Sequence, residues 1–204
     1  MLPENNLQTV SDIQSPIIRK AVESDRYDIA LCIAEGFKKD FSFFCKNPKS
    51  VANALVAGIR IERFYIAEKA NETVAVAGIS DHTGRAVYTD YHALCKYFGW
   101  IKGSFAKLVL KPEFERALPY PSGTGFIEFV AVKASYRRQG IATDLLLESM
   151  KIAAYSEYIL DVIAENIPAM NCYRKIGFQE IGRDKVQNKY AKVYMRKRNS
   201  LSNR

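Results

Sequence analysis

A short turn between a buried strand and an amphipathic helix is the clearest place for binding chemistry in this sequence. The turn reads RRQGIA at 137–142, and it follows the apolar run FIEFVAV. The start of the following helix presents backbone N–H groups without intrahelical partners, together with the positive end of the helix dipole. Such a turn suits a phosphate group, because Gly140 and Ala142 are small and two arginines add positive charge.

Taken alone, the turn leaves two interpretations open: a phosphate site, or a turn that only packs the strand against the helix. The other phosphate-binding motifs are absent from the sequence. GxxxxGK[ST] does not occur, and Gly123-Thr124-Gly125 precedes a strand rather than a helix, which excludes a dinucleotide fingerprint. The RRQGIA turn is therefore the phosphate candidate that the sequence offers.

A single carboxylate interrupts the strand that leads into this turn. Glu128 lies within FIEFVAV, whose other residues are apolar, and a buried carboxylate without a partner is costly. Strict alternation along a strand predicts that Glu128, Val130 and Val132 share one face. Two interpretations stay open: a functional carboxylate, or a glutamate that is salt-bridged or half exposed.

The elements that must position these groups follow from hydrophobic periodicity and turn residues. Ala70-Asn71-Glu72 predicts a hairpin turn between two of the strands. We expect one domain over 16–198, with a flexible arm at 1–15 and a basic tail end at 199–204. The pattern predicts strands at 17–21, 64–68, 73–80, 126–132, 158–163, 178–181 and 190–195, and helices at 25–37, 48–59, about 91–110, 142–155 and 167–176.

Two stretches around the turn resemble motifs of the GNAT family of acetyl-CoA-dependent N-acetyltransferases. RRQGIA matches [QR]-x-x-G-x-[GA], and EFVAVKASYRRQGIATDLLL is similar to motif A throughout. LDVIAENIPAMNCYRKIGF is similar to motif B, and the order and spacing agree across 126–183. The resemblance is unspecific for 17–80 and does not cover 86–124. It implies an α+β fold (the acyl-CoA N-acyltransferase fold): a mixed, mostly antiparallel central sheet with helices on both faces and two splayed parallel central strands.

The resemblance also implies acetyl-CoA as the cosubstrate. In the family, motif A backbone amides hold the pyrophosphate, the strand end pairs with the pantetheine arm as an added strand does, and the motif B asparagine contacts that arm. The residues that this implies for cofactor binding are Val130, Ala131, Val132, Arg137, Arg138, Gln139, Gly140, Ile141, Ala142, Thr143, Asn166 and Tyr173.

The implied reaction is direct transfer of an acetyl group to a primary amine in a ternary complex. Tyr173 stands where the family has a tyrosine near the thioester sulfur, which implies a general acid; a core tyrosine is the alternative. Glu128 matches a glutamate that polyamine acetyltransferases of the family carry as a base, often acting through water, and a water alone is the alternative base. The acceptor, a small molecule or a peptide, stays open.

The stretch 86–124 is rich in aromatic residues and falls between the third and fourth predicted strands. In the family, variable segments build the acceptor site. One interpretation is a cover for the acceptor pocket, in which Tyr97, Phe98 and Trp100 bind an apolar or cationic amine. The other interpretation is a small satellite core filled by these aromatic side chains.

The distribution of charge along the chain indicates which partners the protein binds. The net charge is +8, but six basic residues and no acidic ones lie between 189 and 204, which leaves +2 for the rest of the chain. We therefore expect no nucleic-acid partner, although a non-catalytic coenzyme A-binding or nucleic-acid-binding module that uses the basic tail is the alternative function. A homodimer stays open.

The apolar stretches and the cysteine spacing predict where the protein is located and whether it binds a metal. No stretch approaches the roughly 18 apolar residues of a membrane span, and the first residues lack a signal-peptide apolar region. We expect a cytoplasmic protein without a membrane partner. The four cysteines are far apart and form no CxxC pair, so we expect neither a metal site nor a disulfide framework.

Overall fold

A seven-stranded sheet runs through the computed structural model, which describes residues 15–185, 188 and 190–199. The expected arm at 1–15 and the tail end at 199–204 lie outside the described residues, except for Ser15 and Asn199. The strands are β1 (Ile17–Lys20), β2 (Phe64–Lys69), β3 (Glu72–Ser80), β4 (Thr124–Val132), β5 (Glu157–Ile163), β6 (Gln179–Arg183) and β7 (Lys192–Arg198).

The sheet order is β1-β2-β3-β4-β5-β7-β6. Among these neighbours, β4 and β5 run parallel and the other pairs run antiparallel. The helices are α1 (Arg26–Gly36), α2 (Lys38–Phe41), α3 (Pro48–Leu55), α4 (Tyr91–Phe98), α5 (Trp100–Glu115), α6 (Ile141–Ala153) and α7 (Ile167–Lys175). The predicted mixed, mostly antiparallel α+β fold is confirmed.

Local turn chemistry explains where several elements begin and end. Ala70 and Asn71 both have positive φ, 50° and 60°, as a two-residue hairpin turn requires, so the predicted turn between β2 and β3 is confirmed. Asn166 caps α7 by accepting a hydrogen bond from the Ala169 N–H at 3.3 Å. Gly177 follows α7 with φ 96°, the left-handed conformation that ends many helices.

The sheet separates two hydrophobic clusters. The first cluster lies under α1, α3, α4 and α5, and the second lies under α6 and α7. Fully buried side chains include Ile33, Phe64 and Leu94 in the first cluster. They include Leu145 and Tyr158 in the second. Each face of the sheet is therefore covered by helices, as expected for this fold class.

The helical structure predicted over about 91–110 consists of two helices, α4 and α5, and extends to Glu115. Gly99, with φ 84° and ψ 157°, breaks the helix between α4 and α5. The helices pack closely because a Cβ on Gly103 would lie 2.6 Å from the backbone of Cys95. Their buried residues belong to the first cluster with α1 and α3, so the alternative of a separate satellite core is wrong.

Candidate active site

The two parallel central strands diverge halfway along their length. The pairing of β4 with β5 runs from Thr124↔Glu157 to Ile127↔Leu160. Beyond that point β4 stays with β3 as far as Val132, and β5 stays with β7 as far as Ile163. The second half of β4 therefore faces a gap across which it can pair with an extended ligand, and the predicted splay is confirmed.

A β-bulge lies at the start of this gap. Phe129 has φ 54°, and the pairing shifts between Val76↔Ala131 and Gly78↔Glu128, so β4 contains one extra residue there. The Phe129 ring packs in the first cluster, whereas Val130 packs against the second. The bulge shifts the alternation by one residue.

The bulge places Glu128 on the other face of β4 from Val130 and Val132. Ile127 and both valines pack in or against the second cluster. Glu128 instead accepts a hydrogen bond from the N–H of Ala86, which belongs to the first cluster. The prediction that the glutamate and the valines share one face is therefore wrong, because strict alternation fails at a left-handed residue.

Glu128 is buried and paired. Its carboxylate accepts four hydrogen bonds, from the Ser80 hydroxyl, the Ala86 N–H and two nitrogens of Arg85. The Arg85 Nε lies 3.0 Å from Oε2, and the Ala86 nitrogen lies 2.9 Å from Oε1. The Arg85 guanidinium also lies 5.3 Å from the centroid of the Phe126 ring. These contacts match the salt-bridged interpretation of Glu128; its role as a base stays a prediction.

Tyr173 lies on the opposite side of β4 from Glu128. Its ring packs in the second cluster, where it meets Phe178 edge-on at 6.1 Å, and the Val130 and Val132 side chains pack against the same cluster. Burial, with a smaller contribution from Cys172 and Asp161, raises the pKa of Tyr173 well above its usual value. A tyrosine phenol carries its proton at neutral pH without any shift, and the raised pKa makes this one the weaker acid.

The turn after β4 has the geometry of an anion site. Arg138 and Gly140 have positive φ, 61° and 83°, and Gly140 is the N-cap of α6. The first internal bond of the helix joins the Asp144 N–H to the Gly140 carbonyl, so the N–H groups of residues 141–143 point out of the helix end. A left-handed arginine is unusual, and such strain gathers at functional sites.

Other residues of the turn are held by side-chain contacts. Arg137 Nε donates to the Val132 carbonyl at 3.0 Å, and Gln139 donates to the Ser135 carbonyl at 3.2 Å. The Thr143 hydroxyl lies 3.5 Å from the Cys172 sulfur, which ties the first turn of α6 to α7. The structure thus brings the turn, the valines of β4 and Tyr173 to one side of the gap.

An ion cluster across the gap escaped the sequence analysis. Lys192 of β7 lies 2.8 Å from the Asp161 carboxylate of β5 and also pairs with Glu113 of α5. Burial alone would lower the pKa of Lys192, but the two carboxylates outweigh it and raise that pKa. Asp161 interrupts the apolar strand YILDVI just as Glu128 interrupts FIEFVAV, so the same signal could have found it.

The three aromatic residues expected to bind the amine do not form one surface. Phe98 is buried and stacks on Phe44 with ring centroids 6.2 Å apart. Trp100 is 76% exposed at the start of α5. Tyr97 packs against the first cluster with Lys96 over its ring.

The described part of the chain holds neither a metal-binding cluster nor a membrane-spanning helix. There, no group of three or more histidine, cysteine, aspartate or glutamate residues is arranged to hold a metal ion. No helix in that part is both long and apolar enough to cross a membrane.

Comparisons with known proteins agree with this geometry. The family model described as acetyltransferase (GNAT) family matches residues 37–178. An N-alpha-acetyltransferase of Sulfurisphaera tokodaii is 40% identical over 70 residues, which cover 32% of this chain and 42% of that protein. The match thus spans less than half of the relative.

Solved structures share the fold at low sequence identity. The N-acetyltransferase from Staphylococcus aureus Mu50 superposes with a TM-score of 0.58 at 22% identity, covering 88% of this chain and 99% of that chain. The PaiA N-acetyltransferase from Thermoplasma acidophilum, solved in complex with coenzyme A, gives 0.53 at 14% identity, covering 91% of this chain and 100% of that chain. At these identities the likeness establishes the fold alone.

Proposed function

Because the chain belongs to the acetyltransferase (GNAT) family, we propose that it transfers an acetyl group from acetyl-CoA to a primary amine by direct attack in a ternary complex. One observation carries the proposal. The second half of β4 faces a gap, the outward-pointing end of α6 follows that strand, and Tyr173 packs in the cluster on the same face of the sheet as Val130 and Val132.

The residues around the gap fit acetyl-CoA. The outward N–H groups of residues 141–143 and the charges of Arg137 and Arg138 suit the pyrophosphate. The Val130–Val132 edge of β4 suits the amides of the pantetheine arm, which would add as a strand. The Oδ1 atom of Asn166 caps α7, so its Nδ2 amide is the group we assign to that arm. When bound, acetyl-CoA supplies an activated thioester.

The proposed proton donor is Tyr173. A thiolate leaving group needs a proton, which the Tyr173 hydroxyl would supply, and the phenolate would then regain a proton from solvent. Tyr173 packs in the cluster that Val130 and Val132 also pack against, on the face of β4 where we place the sulfur.

The proposed acceptor side is the face that carries Glu128. An alkyl amine is mostly protonated at neutral pH and must lose a proton before it attacks. The Glu128 carboxylate already accepts four hydrogen bonds, which leaves little room for an amine to reach it directly. We therefore place a water between Glu128 and the amine; the water passes the amine's proton to Glu128, whose pair with Arg85 weakens until that proton is released to solvent.

The acceptor class to test first comes from the Sulfurisphaera relative, which is described as an N-alpha-acetyltransferase. We propose the α-amine of a peptide, with small-molecule amines as the second choice. An acetyl-CoA consumption screen over peptide N-termini, lysine peptides and small amines tests this, with Tyr173→Phe as the matched variant. The proposal is supported if the wild type consumes acetyl-CoA with one class of amine and Tyr173→Phe does not. Calorimetry that shows no binding of acetyl-CoA or CoA at millimolar concentration would refute it.

A further inference from the structure

Among the described residues, a small apolar patch lies outside both hydrophobic clusters. Phe126 of β4 and Ile159 of β5 are 6% and 4% exposed, yet neither belongs to the first or the second cluster. The two residues are direct partners in the parallel pairing of the central strands. Tyr120, from the segment that leads into β4, stacks on the Phe126 ring with the centroids 5.9 Å apart and the planes at 21°. We call Tyr120, Phe126 and Ile159 the Tyr120 patch.

Asp161 of β5 lies on the same face of the sheet as Glu128. Leu160 and Val162, its neighbours in β5, pack in the second cluster, so the Asp161 side chain between them points to the opposite face. The regular pairing of β5 with β7 shows no bulge that would change this alternation. Leu160 is the last β5 residue paired with β4, so Asp161 marks the start of the gap on β5, as Glu128 does on β4.

The Tyr120 patch lies next to these two carboxylates. Phe126 precedes Glu128 by two residues, which is about 7 Å along the strand, and both side chains point to the same face. The Arg85 guanidinium, which pairs with Glu128, lies 5.3 Å from the centroid of the Phe126 ring. Burial and, to a smaller extent, Asp161 raise the pKa of Tyr120 while Arg85 lowers it, so the Tyr120 hydroxyl lies within electrostatic reach of both charges.

The direction of the cofactor decides which group reaches this patch. The pyrophosphate is proposed at the turn after β4 and the pantetheine arm along Val130–Val132, so the thioester lies at the other end, where the gap opens beside Glu128. An amine that attacks there leaves the rest of the acceptor on the Glu128 face, because the cofactor fills the gap beyond it. The first side chain of a peptide acceptor therefore has the Tyr120 patch within its reach.

We propose that the Tyr120 ring binds the apolar side chain next to the acceptor amine, so that the protein prefers peptides that begin with a large apolar residue such as leucine or methionine. The preference rests on the proposed transfer to a peptide α-amine. The charges beside the patch, Arg85 and Asp161, already have partners. A charged first side chain would therefore lose its hydration against the rings without gaining a free counter-charge.

The test uses peptides that differ only in their first residue, leucine or glycine, and compares kcat/KM for the two. The wild type should prefer the leucine peptide at least about 10-fold, a usual value for apolar contacts in a pocket, and Tyr120→Ala should remove most of that preference. Tyr120→Phe keeps the ring and should keep the preference. Because both peptides are assayed on one preparation, partial unfolding of a variant cancels from the ratio.

The matched control is Tyr27→Ala, since this tyrosine lies on α1 and is 40% exposed. It should leave the preference unchanged, and KM for acetyl-CoA should be the same in all three variants. Three results would overturn the Tyr120 contact and leave the acetyl transfer standing. They are transfer without a preference for leucine, a preference that Tyr120→Ala retains or Tyr120→Phe loses, and transfer to lysine side chains alone.

Binding measurements separate the Tyr120 contact from the proposed reaction. Calorimetry on the protein saturated with CoA should show the leucine peptide binding at least about 10-fold more tightly than the glycine peptide, and Tyr120→Ala should reduce that ratio. If neither peptide is acetylated but this difference in binding is found, the proposed transfer fails and the Tyr120 contact stands. If neither peptide binds, the Tyr120 contact is overturned.

Discussion

Removing the charge of Glu128 should destabilise the protein strongly, because its partner is also buried. The Glu128 and Arg85 side chains are 7% and 14% exposed. Glu128→Gln keeps the shape of the side chain but leaves the guanidinium without a counter-charge. Breaking a buried pair in this way costs about 3–5 kcal/mol, and the slight exposure of Arg85 favours the lower end.

The expected cost converts into a change in melting temperature. In a chain of this length each kcal/mol lowers Tm by about 2–4 °C, so Glu128→Gln should lower Tm by about 6–12 °C. The matched control is Glu148→Gln, which breaks the solvent-exposed pair of Glu148 with Lys151. That variant should change the free energy of unfolding by less than about 1 kcal/mol.

A double-mutant cycle isolates the pair from other effects of the substitutions. Glu128→Gln, Arg85→Gln and the double variant are compared by urea unfolding. The double variant should be more stable than the sum of the single losses predicts, by about 1–3 kcal/mol, since neither charge is then left unpaired. A coupling below about 0.5 kcal/mol, within the range of additivity, would refute the argument from burial.

Kinetics on the same variants separate positioning from proton transfer. If Glu128 only holds the 80–86 segment against β4, Glu128→Gln and Arg85→Gln should change kcat alike and leave the pH profile of kcat/KM unchanged. If Glu128 also removes a proton through water, Glu128→Gln alone should lower kcat by about 10²–10⁴-fold and abolish the acidic limb of that profile. Both results are compatible with the predicted loss of Tm.

Three further substitutions test other contacts. Tyr173→Phe should lower kcat at least about 100-fold while KM for acetyl-CoA changes little, and an unchanged kcat in steady-state assays would contradict its role as the acid. Gly103→Ala should lower the free energy of unfolding in urea by about 1–3 kcal/mol, because its Cβ would lie 2.6 Å from backbone atoms. The matched control is Gly182→Ala, where a Cβ meets nothing within 4 Å. Equal losses in the two variants would contradict the close packing of α4 on α5. Gly140→Ala should weaken acetyl-CoA binding measured by calorimetry, because φ 83° strains any L side chain there; unchanged affinity would contradict the anion site in this turn.

The sequence predicted those features whose cause is local. The turn at 137–142 and the helix after it depend on residues that are adjacent in the chain, and so does the hairpin at Ala70-Asn71. The break at Gly99 also has a local signal, a glycine within a helical stretch, which the prediction over about 91–110 did not use.

The features that sequence analysis missed depend on contacts between distant residues. Phe129 adopts a left-handed conformation that aromatic residues rarely take, so no residue type signalled the bulge. Arg85 meets Glu128 across 43 positions in the chain, and no spacing rule links them. The face on which Glu128 lies therefore required the register of β3 against β4.

The two sides of the gap come from different parts of the chain. The turn, the valines of β4 and Tyr173 all lie in the two motifs, on the side proposed for acetyl-CoA. The opposite side takes Arg85 and Glu113 from the segment between β3 and β4, and the Phe114 ring of α5 packs 5.2 Å from Phe129 of the bulge. Substitutions in α5 should therefore alter KM for the amine and leave KM for acetyl-CoA unchanged.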